Sequence, residues 1–219
     1  MGRGWRCGHN RGVELFIVRH GETEWNREGR IQGHRDSPLT ARGLAQARAA
    51  AERLASERLE ALYSSDLGRA RRTASEIGAL TALPVVLEPA LRERSFGVHE
   101  GKTWDEIARE DPVRATLLKE DPAHPVPAGE SLLQFRDRVV AALCRIAADA
   151  RCARVAVVTH GGVLSVLYRE AMGIPLEAPR TWTMLNAVVN HFRYSDDRWS
   201  VVRWGDAGHL GGGESLDDP

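Results

Sequence analysis

The sequence VELFIVR, from Val13 to Arg19, is a run of mostly apolar residues without the period of a helix. A short run of this kind predicts a strand that is buried in the middle of a sheet. Residues 154–159 (RVAVVT) have the same character, and residues 59–64 and 83–87 predict two further strands. Because helical stretches separate these strands, the pattern predicts a three-layer α/β/α sandwich with a mainly parallel central sheet.

Helices are predicted at residues 41–57, 67–80, 104–109, 132–149 and 161–172. Thr40 and Ser131 are expected to cap two of them, and Asp66 is expected to cap the helix that begins at residue 67. The alternation breaks at residues 88–130, where five prolines indicate an insertion. Residues 187–194 and 198–204 predict a hairpin around a Ser-Asp-Asp turn.

The chain has 219 residues, which suits one domain of ordinary size, predicted from residue 13 to residue 204. Residues 1–12 lack the apolar core of a signal peptide and are predicted to be a disordered extension. Residues 205–219 are rich in Gly and Asp and predict a disordered tail. The three cysteines, Cys7, Cys144 and Cys152, fit no zinc or redox spacing, which favours reduced thiols in the cytoplasm.

The charge balance limits the classes of partner. Lys plus Arg and Asp plus Glu number 30 each, so the formal net charge is zero and nucleic-acid binding is not expected. The apolar runs are far too short to span a bilayer, so no membrane association is expected. The oligomeric state stays open at this level, although the edge of the predicted hairpin would allow a homodimer.

Residues suited to phosphate chemistry follow three of the predicted strands. Arg19 and His20 stand at the end of the first strand, Arg69 comes one helical turn after the second, and His160 and Gly161 follow the strand at 154–159. Because ligands bind outside the carboxyl ends of parallel strands, we expect these side chains to converge at one edge of the sheet, with the insertion covering them.

Two histidines and two arginines without an acidic cluster favour phosphoryl transfer over metal chemistry. Arginine forks clamp phosphate oxygens, and a neutral histidine is a good nucleophile near neutral pH. The helix that begins at Gly161 would direct backbone amides at an anion. A leaving alkoxide also needs a proton, which Glu93 could supply if burial and a nearby phosphate raised its pKa. From the residues alone, Glu93 is more simply an ordinary loop carboxylate.

The order of the motifs resembles the histidine phosphatase superfamily, in its phosphoglycerate mutase-like branch. The matching series covers roughly residues 14–173, and although an Arg-His-Gly triplet alone would be weak, the ordered series is specific. The motifs are Arg19-His20-Gly21-Glu22-Thr23, Asn26, Gln32-Gly33, Asp36-Ser37-Pro38-Leu39-Thr40, Gly43, Tyr63-Ser64-Ser65-Asp66-Leu67, Arg69-Ala70, Leu91-Arg92-Glu93, Gly97, Glu100-Gly101, Gly129-Glu130-Ser131 and Thr159-His160-Gly161-Gly162.

The resemblance implies a role for each matching residue. His20 would become phosphorylated, and Glu93 would donate a proton to the leaving group. The rest of the phosphate pocket would be Arg19, Arg69 and His160, with further contacts from Thr23, Asn26, Gln32 and the Gly161 amide. Members of the family need no metal for this chemistry, so no metal and no cofactor are expected.

Departures from the glycolytic mutases favour a phosphatase that acts on a small phosphorylated metabolite. Those mutases carry Glu-Arg-His-Tyr-Gly where this chain has Glu93-Arg94-Ser95-Phe96-Gly97, and they have a longer insertion that shields the phosphoenzyme from water. Phe96 and Trp104 could face an organic leaving group, whereas Leu117 and Leu118 are expected to pack locally. The alternatives are a 2,3-bisphosphoglycerate-dependent phosphoglycerate mutase and a non-catalytic module that binds phosphorylated ligands. The substrate itself stays open among broad phosphomonoesters, phosphoglycerates, sugar phosphates and α-ribazole phosphate.

Overall fold

The computed structural model describes residues 12–149 and 152–211 and contains a six-stranded sheet with the order β3-β2-β4-β1-β5-β6. The first four of these strands run parallel, and β5 runs antiparallel to both of its neighbours. The mainly parallel sheet is therefore confirmed. The strands are β1 (Val13–Arg19), β2 (Ala61–Ser64), β3 (Val85–Leu87), β4 (Arg154–Thr159), β5 (Val189–Ser195) and β6 (Arg198–Asp206).

Helices lie on both faces of the sheet and in the insertion. They are α1 (Glu24–Arg27), α2 (Ala41–Ala55), α3 (Gly68–Thr81), α4 (Trp104–Glu110), α5 (Pro112–Glu120), α6 (Leu132–Ala148) and α7 (Gly161–Met172). The predicted caps Thr40 and Ser131 are confirmed, because their side chains accept hydrogen bonds from the backbone amides three residues later.

Side chains of β1 alternate between two apolar clusters, one on each face of the sheet. Leu15 and Ile17 pack with residues of α6 and α7, whereas Phe16 and Val18 pack with residues of α2 and α3. A strand that is buried on both faces needs apolar residues at nearly every position, which explains the unbroken run in the sequence. The three-layer α/β/α arrangement is thus confirmed.

The insertion at residues 88–130 has a small apolar cluster of its own. Helix α4, which the sequence predicted, and helix α5, which it did not, pack there together with Ile31 from the loop after β1. The cluster consists of Ile31, Ile107, Ala115, Leu118 and Val126. Local packing is confirmed for Leu118, and Leu117 is exposed on the surface. Helix α5 begins at Pro112, where proline costs no hydrogen bond, and the Asp111 side chain accepts from the Arg114 amide at 2.9 Å.

Two predictions about element ends are wrong. Asp66 does not cap α3: its carboxylate pairs with Arg92, and Asp36 from the loop after β1 accepts a hydrogen bond from the Gly68 amide instead. The predicted tail begins too early, because β6 continues to Asp206 and a 3₁₀ turn follows at Gly208–Leu210. The Arg53 side chain donates to Asp206 at 3.0 Å, which ties this end to α2.

The expected disorder of residues 1–11 and 212–219 lies outside the described residues. Within the described part of the chain, no helix is both long and apolar enough to cross a membrane.

A close contact between two backbone segments fixes the loop that follows β1. Gly43, in the first turn of α2, sits against the Glu22 carbonyl, and a Cβ added at Gly43 would overlap that oxygen. We therefore expect Gly43→Ala to lower the free energy of unfolding by about 1–3 kcal/mol, although alanine normally favours a helix. Urea denaturation would measure the change.

The matched control is Gly208→Ala, whose added Cβ would meet only an ordinary contact, 3.7 Å from the Asp206 carboxylate. This variant should stay within about 0.5 kcal/mol of the parent. Equal effects of the two substitutions would contradict the close approach of Gly43 to Glu22.

Candidate active site

The predicted convergence at the carboxyl ends of the strands is present. Strands β2, β4 and β1 are adjacent, and Arg19 at the end of β1 is in register with Thr159 at the end of β4. A cavity of about 90 Å³ opens at this edge. It is lined by four of the predicted site residues, His20, Gln32, Arg69 and Glu93, and by Arg30, Ile31, Gly33, Phe96 and Trp104.

Two hydrogen bonds orient the His20 ring. Its Nδ1 lies 2.8 Å from the Gly21 carbonyl oxygen, and its Nε2 accepts a hydrogen bond of 3.2 Å from Arg69 Nε. A carbonyl can only accept, so the network assigns the proton to Nδ1 and the lone pair to Nε2. His20 therefore presents an unprotonated nitrogen toward Arg69.

The surroundings of His20 keep the ring neutral. Burial holds the pKa of His20 well below its ordinary value, and the positive charges of Arg69 and Arg19 lower it further. A neutral imidazole keeps a lone pair available for attack on an electrophile at neutral pH. The arginines that would bind an anion thus add to the effect of burial and disfavour protonation of the nucleophile.

Arg69 is held by the loop that follows β1. Its two terminal nitrogens donate to the carbonyls of Gly33 and Arg35, each at 2.8 Å, and to the Asp36 carboxylate at 2.9 Å. Asp36 also accepts from the Gly68 amide at 2.5 Å, so it anchors the start of α3. The sequence analysis noted Asp36 within a motif but gave it no role, because it is 33 residues from Arg69.

His160 stands beside His20, with the ring centroids 5.3 Å apart. Its Nε2 lies 2.8 Å from the Ser65 hydroxyl at the end of β2, a partner that the sequence analysis did not assign. Its Nδ1 has no hydrogen-bond partner among residues 12–149 and 152–211. Burial, with the charge of Arg69, holds the pKa of His160 well below its ordinary value. The site thus contains two neutral histidines next to two arginines.

The segment before β5 contacts Arg19 and His20. Arg19 donates from Nη1 to the Met184 carbonyl, and Asn186 donates from Nδ2 to the His20 carbonyl at 3.0 Å. The same Asn186 nitrogen lies 3.3 Å from Asn26 Oδ1. Asn186 belongs to no motif in the sequence, so no pattern could have identified it.

Glu93 brings a carboxylate from the insertion into the cavity. One of its oxygens accepts from the Arg94 amide at 2.8 Å, and the other accepts from the Gly162 amide in the first turn of α7 at 2.9 Å. A Cβ at position 162 would overlap the Glu93 carboxylate, which explains the glycine there. Two backbone donors therefore fix the orientation of this carboxylate.

The main chain around Glu93 is anchored as well. Arg138 of α6 donates to the carbonyls of Ala90 at 2.8 Å and Arg92 at 3.1 Å, and His34 Nε2 lies 2.9 Å from the Glu93 carbonyl oxygen. Glu130 accepts from the Ser95 amide at 2.9 Å. These contacts join the insertion to the sheet domain at the position of the carboxylate.

The other predicted phosphate contacts differ in how available they are. Thr23 and Asn26 form the capping box of α1, and the Thr23 hydroxyl donates to Asn26 Oδ1 at 3.0 Å. The Asn26 oxygen is therefore occupied, so its amide nitrogen would make any contact with a phosphate. Gln32 lines the cavity, and its Oε1 has no hydrogen-bond partner in the described part of the chain. Gly161 is the first residue of α7, directly after His160.

Two aromatic side chains of the insertion complete the cavity wall. Phe96 and Trp104 both line it, and their rings meet edge to face with centroids 6.1 Å apart. Within the described ranges, no group of three or more His, Cys, Asp and Glu side chains could hold a metal ion. The cavity thus combines His20 and Arg69, near the strand ends, with Phe96 and Trp104 of the insertion.

The sequence is similar to those of known enzymes. The chain is 42% identical to the metal-independent phosphoserine phosphatase of Arabidopsis thaliana over 202 residues, which covers 90% of this chain and 83% of that protein. It is 36% identical to the probable phosphoglycerate mutase GpmB of Escherichia fergusonii over 204 residues, which covers 90% and 95% of the two chains.

Solved structures share the fold over nearly their whole length. The structure described as Bacillus stearothermophilus YhfR superposes with a TM-score of 0.84 at 32% identity, covering 90% of this chain and 99% of that one. The mycobacterial glucosyl-3-phosphoglycerate phosphatase superposes with a TM-score of 0.79 at 30% identity, covering 89% and 99%. The model of the histidine phosphatase superfamily (branch 1) matches residues 15–207. The chain therefore belongs to the histidine phosphatase superfamily, as its motifs and the arrangement of its site indicate.

Proposed function

We propose that this enzyme is a metal-independent phosphomonoester phosphatase that works through a phosphohistidine at His20. The observation that carries the proposal is the neutral His20 ring, whose Nε2 lone pair lies 3.2 Å from Arg69 Nε in the cavity. A phosphate held by Arg69 would place its phosphorus within reach of that lone pair. The role of every site residue below is part of this proposal.

In the first step, His20 Nε2 attacks phosphorus and a nitrogen–phosphorus bond forms as the bond to the ester oxygen breaks. Arg19, Arg69 and neutral His160 would stabilise the charge on the phosphoryl oxygens, because donors fixed in advance cost no reorganisation. The carboxyl group of Glu93 gives its proton to the departing alkoxide. The products of this step are an alcohol and phosphorylated His20.

In the second step, water attacks the phosphohistidine. Glu93, now a carboxylate, accepts a proton from the water, and the nitrogen–phosphorus bond breaks to release inorganic phosphate. Glu93 is suited to both roles because its backbone partners, the amides of Arg94 and Gly162, leave it facing the cavity. His20 returns to its neutral state.

Phosphatase activity is favoured over mutase activity by the short insertion and by the relatives. The insertion, residues 88–130, contains two short helices, α4 and α5, and one small apolar cluster. The relative named as a phosphoserine phosphatase is 42% identical, compared with 36% for the probable mutase. Phe96 and Trp104 would contact the organic part of a small phosphorylated metabolite.

A panel of esters without added metal tests the proposal. The purified enzyme with EDTA should release phosphate from p-nitrophenyl phosphate, and from phosphomonoesters such as 3-phosphoglycerate in the absence of 2,3-bisphosphoglycerate. Bisphosphate-dependent conversion of 3-phosphoglycerate to 2-phosphoglycerate with little free phosphate would show a mutase. Tight phosphate binding without turnover would show a binding module.

Glu93→Gln removes the acidic proton and keeps the shape of the side chain. We expect it to slow esters with poor leaving groups, such as alkyl phosphates, by about 10²–10⁴-fold, because these need a proton at the leaving oxygen. Formation of the phosphoenzyme from p-nitrophenyl phosphate, measured as the burst of p-nitrophenol, should slow far less. Equal losses for both esters would contradict the acid role.

The expectations about location, macromolecular partners and oligomeric state stay predictions. The cytoplasmic location rests on the absence of a cysteine spacing for disulfides or zinc, and neither Cys144 nor Cys152 forms a disulfide among the described residues. Neither nucleic acid nor a membrane is expected as a partner. A homodimer formed through an edge of the sheet is compatible with the fold.

A further inference from the structure

A buried carboxylate connects the insertion to the loop that follows β1. Glu100 is only 8% exposed, and its oxygens accept hydrogen bonds from four uncharged groups. From the loop, the backbone amides of His34 and Arg35 donate to it at 2.9 Å and 3.1 Å. From the insertion, the Phe96 amide donates at 3.1 Å and the Ser95 hydroxyl at 3.4 Å. Glu100 stands in one of the sequence motifs, but the proposed mechanism gives it no role.

The contacts on the loop side lead directly to Arg69. The peptide group between Gly33 and His34 donates through its N–H to Glu100 at 2.9 Å and accepts through its C=O from Arg69 Nη2 at 2.8 Å. Arg35 has the same two partners, because its amide donates to Glu100 at 3.1 Å and its carbonyl accepts from Arg69 Nη1 at 2.8 Å. Hydrogen bonds in a chain polarise one another, so the carboxylate strengthens the Gly33 carbonyl as an acceptor for the guanidinium.

Glu100 lies directly against the loop backbone at Gly33. This glycine has a positive φ of 55°, and a Cβ added to it would lie 2.2 Å from Glu100 Oε1. A side chain at this position would therefore displace the carboxylate from the loop. The close approach keeps the carboxylate oxygens within hydrogen-bond distance of the amides of His34 and Arg35.

The insertion is also joined to the loop by backbone hydrogen bonds that do not involve the Glu100 side chain. The Ile31 amide donates to the Lys102 carbonyl at 2.9 Å, and the Gly101 amide donates to the Ile31 carbonyl at 2.8 Å. These bonds lie next to Glu100 in the chain, so they hold its backbone when its side chain is changed. We therefore expect the two segments to stay together in a variant that alters only the carboxylate.

We propose that Glu100 is a positioning residue that holds Arg69 in the orientation that binds the phosphoryl group. The proposal rests on the proposed function, because it takes Arg69 as a phosphate-binding residue. An arginine side chain has many rotamers, and donors that are fixed in advance cost no reorganisation when phosphate arrives. Glu100 acts on Arg69 through the backbone of residues 33–35, and it makes no contact with the phosphoryl group.

Glu100→Gln keeps the size of the side chain and removes one acceptor oxygen. The amide nitrogen of glutamine can only donate, so it must face a backbone N–H, either that of Arg35 or those of His34 and Phe96. We expect the dissociation constant for inorganic phosphate, measured by isothermal titration calorimetry, to rise about 5- to 30-fold, because Arg69 is less well fixed. An unchanged dissociation constant in the folded variant would overturn the proposal.

Glu110→Gln is the matched control in the same insertion. The Glu110 carboxylate is exposed at the end of α4 and pairs with Lys102, away from the loop amides. This variant should bind phosphate within about twofold of the parent. Far-UV circular dichroism at the temperature of the titration would verify that each variant is folded.

A double-mutant cycle with Arg69 distinguishes positioning from a general loss of structure. Arg69→Lys keeps a positive charge, so phosphate binding stays measurable, but its single nitrogen replaces the two that contact the carbonyls of Gly33 and Arg35. If Glu100 acts through this fork, Glu100→Gln should change the dissociation constant by less than about twofold in the Arg69→Lys background. An equal factor in both backgrounds would mean that the effect does not pass through Arg69, and the proposal would be wrong.

A second variant reaches the same contact if Glu100→Gln does not fold. Gly33→Ala places a Cβ on the Glu100 carboxylate, so it should also weaken phosphate binding about 5- to 30-fold. Gly29→Ala is its control, because Gly29 has a similar φ of 66° and, among the described residues, nothing lies within 4 Å of an added Cβ. The control should bind phosphate within about twofold of the parent, whereas such an affinity in Gly33→Ala would contradict the proposal.

The outcomes separate the positioning role from the proposed function. Hydrolysis of the ester panel by the parent, together with unchanged phosphate affinity in Glu100→Gln, would remove the positioning role and leave the phosphatase intact. A parent that binds phosphate but hydrolyses no ester would remove the phosphatase, and the cycle would still decide whether Glu100 positions Arg69.

Discussion

The contact between Arg69 Nε and His20 Nε2 is the interaction on which the site depends. It requires a neutral His20 with its Nε2 lone pair directed at Arg69, and it brings the guanidinium that we propose binds phosphate within 3.2 Å of that nitrogen. The contact is possible because β1 and β2 both lie next to β4 and run parallel to it, so their carboxyl ends lie close together at the same edge of the sheet. The loop after β1 then holds Arg69 through the carbonyls of Gly33 and Arg35 and through the Asp36 carboxylate.

The proposed phosphate pocket and the proposed acid come from different parts of the chain. His20, Arg69 and His160 are fixed by the sheet and its first helical turns, whereas Glu93 comes from the insertion and is anchored by the amide of Gly162. The aromatic wall formed by Phe96 and Trp104 also depends on the insertion. Two relatives of this chain are named for different reactions, one as a phosphoserine phosphatase and one as a probable phosphoglycerate mutase.

Much of the fold could be predicted from the sequence, because strands that are buried on both faces of the sheet need apolar runs. In a parallel sheet the carboxyl ends of the strands lie at one edge. This rule was enough to select His20, Arg69 and His160 as candidate site residues. Glu93 needed the family resemblance, since a loop carboxylate has no local signal. Ser65 and Asn186 had no role assigned, because their contacts join segments 95 and 166 residues apart. Helix α5 was missed because prolines in the insertion indicated a loop, although Pro112 stands at a position that tolerates proline.

Trapping the phosphoenzyme tests the central claim most directly. The enzyme would be mixed with a phosphomonoester, quenched at alkaline pH within the first turnover, digested and analysed by mass spectrometry. The account predicts phosphate on the peptide that contains His20, and neither this label nor turnover in a folded His20→Ala variant. Phosphate on another residue, or hydrolysis by His20→Ala close to that of the parent, would contradict the phosphohistidine mechanism.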